Sequence, residues 1–268
     1  MRRRPARGAG PKAPSRATAP ERLHKVLAQH GIGSRRQVEA WITEGRVLVN
    51  GRPAVVGQAI GPRDRVDVDG REVTRLLRQQ AERRTLVFHK TTGTILKRRA
   101  GDERAAVVDQ LPALHGGRWV PLNSIGFGEE GLLVLSNDGR YAADVARLGR
   151  EWPVEYRVRA LRPRSAETWP AVPLEIQLDG QRLQFDAVEA VGEGGTNQWF
   201  RVAAARGLPR GAVVALFDAA GLKTSRVLLV RWGPLQLPRD LPRGRCRDLV
   251  DDELAALAAA IATRSDAQ

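Results

Sequence analysis

The sequence predicts an α+β chain of two domains, a small basic α/β module followed by a larger domain of short strands and helices. Three observations carry this. The hydrophobic period changes from helical to strand-like, punctuated by turn residues, within residues 21–73. Short strand-like and helical runs then alternate from about residue 85 to 249. The 268 residues suffice for one small and one medium core.

Residues 1–20 hold Arg2, Arg3, Arg4, Arg7, Lys12 and Arg16 among Pro, Gly and Ala, with no acid before Glu21. Nothing there can bury a core, so the expectation is a disordered basic arm, either lying along phosphates or serving as a flexible tail. In residues 21–73, Leu23, Val26 and Leu27 recur at helical spacing and Gly31 ends the helix. Ser34 starts a second helix, with Gln37 completing a capping box and Val38, Trp41 and Ile42 forming the apolar face. Gly45 closes it. Val47 to Val49 read as a strand, and Asn50-Gly51 is a hairpin signal. Val66, Val68 and the turn Asp69-Gly70 supply another strand pair.

Residues 74–84 read as a charged linker. The second domain opens with Leu86-Val87-Phe88; further strands are expected at Leu132 to Leu135, Tyr156 to Leu161, Leu183 to Val191 and Trp199 to Ala203. Ala212 to Ala220 reads as a helix stopped by Gly221, and Asp251 to Ala262 as a last helix in a C-terminal segment, 250–268.

Hydrophobic content of 42% and charged content of 28% are those of a globular protein, but the formal net charge is +14 and the isoelectric point about 11.2. Such an excess attracts polyanions, and the clustering of the basic residues favours nucleic acid over a merely solubilising charge. The single Cys246 excludes an internal disulfide, and four scattered histidines argue against a zinc site. No apolar run approaches the roughly 20 residues that span a bilayer, and no apolar stretch follows the basic N-terminus, so the expected compartment is the cytoplasm. Without heptads, a monomer is the default.

Arg22, Lys25, Arg35, Arg36 and Arg46 lie off the apolar faces of the two short helices, as candidate RNA contacts or as a solvated face. Arg35 and Arg36 fall in the first turn after Ser34, where free N–H groups and the helix dipole favour a phosphate. The run ERLHKVLAQHGIGSRRQVEAWITEGRVLVNG resembles the S4 RNA-binding domain, which implies RNA rather than DNA as the partner.

From Leu86 onward the chain resembles the bacterial ribosomal-RNA pseudouridine synthases that carry an S4 domain in front. The resemblance is carried by FHKTTGTILKRRAGDERAAVVDQLP, GLLVLSNDGRYA, VEYRV and SRVLLVRWGPLQLPRDLPRGRCRDL. It implies a mixed, largely antiparallel sheet over residues 85–249, ribosomal RNA as the partner and a reaction that needs no cofactor or metal. That reaction detaches a uracil from its ribose, turns it and rejoins it through carbon, using one aspartate in the pattern G-R-L-D-x-x-T-x-G-L-L.

The matching stretch here runs from Asn123 to Leu133. It places Gly126 at the aspartate position and Ser124 at the arginine position. Glycine can neither attack nor take a proton. Glu129 and Glu130 lie three and four residues on, and a loop shift of several ångströms is expected before either could substitute. Asp138 reads as part of the Asn137-Asp138-Gly139 turn. A later basic stretch of the family has become Gly207 to Ala215, with Arg210 its one basic residue. Tyr156 matches the residue that offers its ring to the target base, or is a core tyrosine; Lys90 aligns with a lysine near the cleft, or is a solvated strand end. The resemblance and these departures together imply an RNA-binding protein on a pseudouridine-synthase fold, inactive or impaired, acting in ribosomal-RNA binding or ribosome assembly. The alternative is an active synthase using Glu129 or Glu130.

Overall fold

The structure, a computed structural model, describes residues 20–78, 83–96, 103–114, 117–192 and 194–265. The basic arm expected over residues 1–20 lies outside the described residues except for Pro20, as does the middle of the linker. The chain divides into two compact units, Met1–Gln80 and Ala81–Gln268.

The first unit runs β1 (Glu21–Arg22), α1 (Leu23–Gln29), α2 (Arg35–Thr43), β2 (Val47–Val49), β3 (Arg52–Pro53), β4 (Ala59–Ile60), β5 (Val66–Val68), β6 (Arg71–Glu72) and α3 (Thr74–Arg78). Ser34 caps α2 reciprocally: its hydroxyl accepts the Gln37 amide at 3.3 Å, and the Gln37 side chain accepts the Ser34 amide at 3.0 Å. Leu23, Leu27, Val38 and Ile42 pack on Val47, Val49 and Val66 of the antiparallel sheet β3-β2-β5-β6. Both hairpins turn on residues at positive φ, Asn50 (52°) with Gly51 (77°) and Asp69 (50°) with Gly70 (75°), the conformation that two-residue hairpin loops demand. The segment read as a linker opens with α3, whose Thr74 hydroxyl receives the Val66 amide at 2.9 Å.

The second unit holds β7 (Thr85–Lys90), β8 (Val120–Pro121), β9 (Glu130–Ser136), α4 (Gly139–Leu148), β10 (Val154–Leu161), β11 (Glu175–Leu178), β12 (Gln181–Gln184), β13 (Ala187–Val191), β14 (Asn197–Ala204), α5 (Ala212–Ala219), β15 (Lys223–Trp232), β16 (Leu235–Gln236), β17 (Cys246–Asp248) and α6 (Asp251–Ser265). Its nine-stranded sheet has the order β13-β14-β10-β15-β9-β7-β17, with β8 added on β9 and β16 on β15. Among the described residues only the β9–β15 pairing of this sheet is parallel, and its other pairings are antiparallel. The fold class is therefore α+β with a mixed, largely antiparallel sheet, as the sequence implies.

The sheet's register positions the site. On β10 the burial alternates strictly, so Val154, Tyr156, Val158 and Ala160 face one side. Tyr156 pairs with Val202 of β14 and Leu229 of β15. On β9 every residue is buried. Gly131 lies at φ 112°, and a Cβ there would stand 2.2 Å from the Leu229 carbonyl, so the β9–β15 junction admits only glycine.

Two expectations need correction. The strand read from Leu183 to Val191 is two strands, because Phe185, 1% exposed, turns into the core between them. Asp138 does not merely shape a turn: its carboxylate caps α4, accepting the amides of Arg140 and Tyr141 at 2.9 and 3.1 Å. Among the described residues no helix is long and apolar enough to cross a membrane, and no group of His, Cys, Asp and Glu could hold a metal ion.

Candidate active site and RNA-facing surfaces

In the first unit the five basic residues separate into two kinds. Arg35 and Arg36 are exposed at the start of α2 and make no hydrogen bond or ion pair among the described residues. The others are occupied. Arg22 donates to the Gly57 carbonyl, and Lys25 faces Glu21 at 3.5 Å. Arg46 grips Asp69 with two bonds of 2.7 and 2.8 Å, reaches Glu44 at 3.0 Å and lies over the Trp41 ring. Those carboxylates hold the Arg46 pKa above its ordinary value, Asp69 contributing most.

In the second unit a cleft of about 1260 Å³ opens on the sheet face that carries Tyr156. Its wall includes Asn123, Ser124, Tyr156, Arg210, Leu229 and Trp232. Arg150, Arg182 and Arg206 add positive charge, against Glu151 and Asp186. The sequence reading missed these three arginines. Arg206 stands one residue before the stretch in which Arg210 was the sole basic residue, and Arg150 and Arg182 belong to no motif. Ser124 and Arg210, 86 residues apart, are joined: Arg210 Nε donates to the Ser124 hydroxyl at 2.8 Å. Tyr156 is 6% exposed, so it is both a core residue and a wall of the cleft. Burial, helped by the negative charge of Glu129, pushes its phenol pKa well above the ordinary value, so the hydroxyl keeps its proton.

The loop between β8 and β9 carries Gly126, and the Glu129 side chain meets it there. The Glu129 side chain already folds back onto Gly126, with its Oε2 accepting the Gly126 amide at 2.7 Å. A Cβ at residue 126 would stand 3.1 Å from both the carboxylate carbon and Oε2 of Glu129. The other carboxylate oxygen lies 3.5 Å from the Gly211 amide at the start of α5. The Glu129 carboxylate thus lies beside residue 126. Glycine at 126 leaves the room.

Lys90 sets this loop. It is no solvated strand end: it is 1% exposed, and its ammonium donates to the carbonyls of Glu129 (2.8 Å), Thr91 (3.1 Å) and Phe127 (3.4 Å). Burial lowers its pKa to about 8, against the raising influence of Glu129 and Glu130. Two further bonds staple the loop to the end of β7, Gly93 amide to Phe127 carbonyl at 2.9 Å and Thr92 hydroxyl to Gly128 carbonyl at 3.1 Å. Glu130 is clamped elsewhere, between Arg226 Nε and Arg243 Nη2, each at 2.5 Å. Of the two acids considered, only Glu129 stands at residue 126.

Comparison with known proteins agrees with this architecture. The S4 domain family matches residues 21–66. Ribosomal large subunit pseudouridine synthase B of Escherichia coli O6:H1 is 34% identical over 233 residues, which cover 85% of this chain and 79% of that protein. The chain belongs to the ribosomal large subunit pseudouridine synthase B family. The relative of the same name from Xanthomonas campestris pv. campestris is 34% identical over 258 residues, covering 94% of this chain and 51% of the relative. The chain spans about half the length of this and the other first-ranked curated relatives. A crystal structure of a pseudouridylate synthase superposes with a TM-score of 0.55 at 20% identity, over 88% of this chain and 99% of that one, a likeness of fold.

Proposed function

We propose that this protein binds ribosomal RNA and isomerises a uridine to pseudouridine in the Tyr156 cleft, with Glu129 supplying the carboxylate that Gly126 lacks. The observation that carries the reading is the 2.7 Å bond from the Gly126 amide to Glu129 Oε2, which pins an acid beside residue 126. Family membership supplies the reaction type, and the chemistry asks for a nucleophile or base, a face for the base and an anchor for the backbone.

In this scheme Arg35 and Arg36 in the first unit, and the arginines of the cleft in the second, neutralise phosphates. The target uridine leaves its stack and lays its base against Tyr156. The Glu129 carboxylate then assists cleavage of the C1′–N1 bond. The uracil turns and C5 bonds to C1′, after which C5 gives up its proton and N1 takes one. Atoms balance within the isomer, and this chemistry asks for no cofactor or metal. A ribosomal-RNA substrate places the protein in the cytoplasm.

A second reading, an RNA-binding platform without chemistry, is favoured by two observations. The Ser124 hydroxyl at the arginine position is occupied by Arg210, and both Glu129 oxygens face backbone amides. Release of tritium from ribosomal RNA labelled at the uracil 5-position decides between them. Release that is abolished by Glu129→Gln supports the synthase; binding without release in the unaltered protein supports the platform.

A further inference from the structure

The loop that carries Gly126 also presents an aromatic ring that the proposed reaction does not use. Ile125 is 3% exposed and anchors the loop in the core, whereas Phe127, two residues on, is 50% exposed. A lone exposed apolar side chain is ordinary on a protein surface. Phe127 differs from the exposed valines and leucines of this chain in three respects.

First, its backbone is fixed: its carbonyl accepts from the Gly93 amide at 2.9 Å and from the Lys90 ammonium at 3.4 Å, and the next carbonyl accepts from Thr92. The ring is therefore displayed on a braced loop. Second, the guanidinium of Arg104 lies 5.3 Å from the ring centroid, a cation stacked on an exposed aromatic. Third, Phe127 stands three residues from Ser124 in the cleft wall, at most about 11 Å along an extended chain. Single-stranded RNA is held by this combination, aromatic and guanidinium planes for the bases and positive charge for the phosphates.

We propose that Phe127, with Arg104, is a stacking platform for an unpaired nucleobase next to the uridine that enters the cleft. The inference rests on reading the cleft as an RNA site, and it does not depend on whether the site is catalytic. The base lies on one face of the Phe127 ring, and Arg104 supports the ring as a stacked cation. Stacking is tolerant of base identity, so the platform fixes the path of the strand rather than its sequence.

The test uses the full chain and RNA hairpins whose loop uridine is flanked on either side by 2-aminopurine, read by fluorescence quenching and by affinity. The unaltered protein is expected to quench one flanking position. Phe127→Ala should abolish that quench and weaken binding about five- to hundred-fold, with an unchanged salt slope, while Phe127→Trp retains both. Arg104→Ala, which takes the cation from the ring, should weaken the quench without abolishing it. Because Phe127 is half exposed, an unchanged melting temperature certifies the alanine variant. Hairpin binding without quenching in the unaltered protein, or unchanged affinity in Phe127→Ala, overturns the proposal. Loss of quenching with no tritium release from any form would instead reject the synthase reading and leave the platform standing.

Discussion

Glu129 and Gly126 form one unit: the carboxylate of the first accepts the amide of the second at 2.7 Å, in space that any side chain at 126 would contest. If this carboxylate does the chemistry, Glu129→Gln, which keeps the shape and one acceptor oxygen for the Gly126 amide but not the charge, should lower tritium release at least about a hundred-fold and leave RNA affinity unchanged. Single-turnover release and filter binding on the same preparation check both halves.

The same contact predicts that placing an aspartate at 126 is not simply additive. A Cβ at 126 would lie 3.1 Å from the Glu129 carboxylate, and Gly126→Asp would add a second negative charge beside it. Two carboxylates so placed resist joint ionisation, so one must take a proton or move away. Gly126→Asp alone should therefore melt lower than the unaltered protein. Adding Glu129→Ser should recover the melting temperature and give the more active enzyme of the two, measured by thermal unfolding and tritium release.

What the sequence discloses and what it hides divide along the range of the interactions. The Ser34–Gln37 capping box and the Asn50-Gly51 and Asp69-Gly70 turns are local, and each is legible within four residues. The break at Phe185 is not, because it depends on a core pocket made by distant strands. The first turn of α4 was hidden by Asp138, whose type suits a turn and a helix cap equally. The sequence shows by itself that residue 126 carries no side chain. It does not show the return of Glu129, since that involves Lys90 on another strand, which gathers the loop carbonyls of Phe127 and Glu129. The arginine rim of the cleft likewise comes from Arg150, Arg182 and Arg206 on separate segments.

Lys90 makes the loop pH-sensitive. Its folded-state pKa, about 8, lies below the ordinary lysine value of 10.5. The cost of holding the buried charge is fully present below about pH 8. Between 8 and 10.5 the folded protein has released a proton that the unfolded chain still binds, so stability rises with pH relative to a Lys90→Met variant. Activity should move the other way, because a neutral amine has one donor fewer for the three carbonyls it meets, two of them in the Glu129 loop. Release rates in the unaltered protein should fall above about pH 8, while Lys90→Met is slower and flat across that range. Paired melting curves and rate profiles from pH 7 to 10 read both signs.

Tyr156 packs in the core and lines the cleft, and two substitutions separate packing from the proposed binding. Its phenol stays protonated, so loss of the hydroxyl in Tyr156→Phe removes no charge and leaves a ring for the base. That variant should keep RNA affinity and fold stability close to those of the unaltered protein. Tyr156→Ala opens a cavity against Val202 and Leu229 and should cost about 3–5 kcal/mol of stability, measured by urea unfolding.

In the first unit the pairing of arginines decides which of them meets RNA. Arg35 and Arg36 stand at the start of α2, where Ser34 and Gln37 satisfy each other's amides and leave those of the two arginines outside the capping box. Side chains and backbone there suit the same phosphate. Arg46 is held by Asp69 and Glu44 and would have to break two ion pairs to reach one. Replacing Arg35 and Arg36 together with Ala should weaken RNA binding and reduce the slope of log affinity against log salt by about 1.4 to 1.8, the value for two phosphate contacts. Arg46→Ala should leave that slope unchanged. Titrations of a structured ribosomal-RNA fragment at four salt concentrations separate the two, and an unaltered slope in the double variant would move the RNA to another face of the unit.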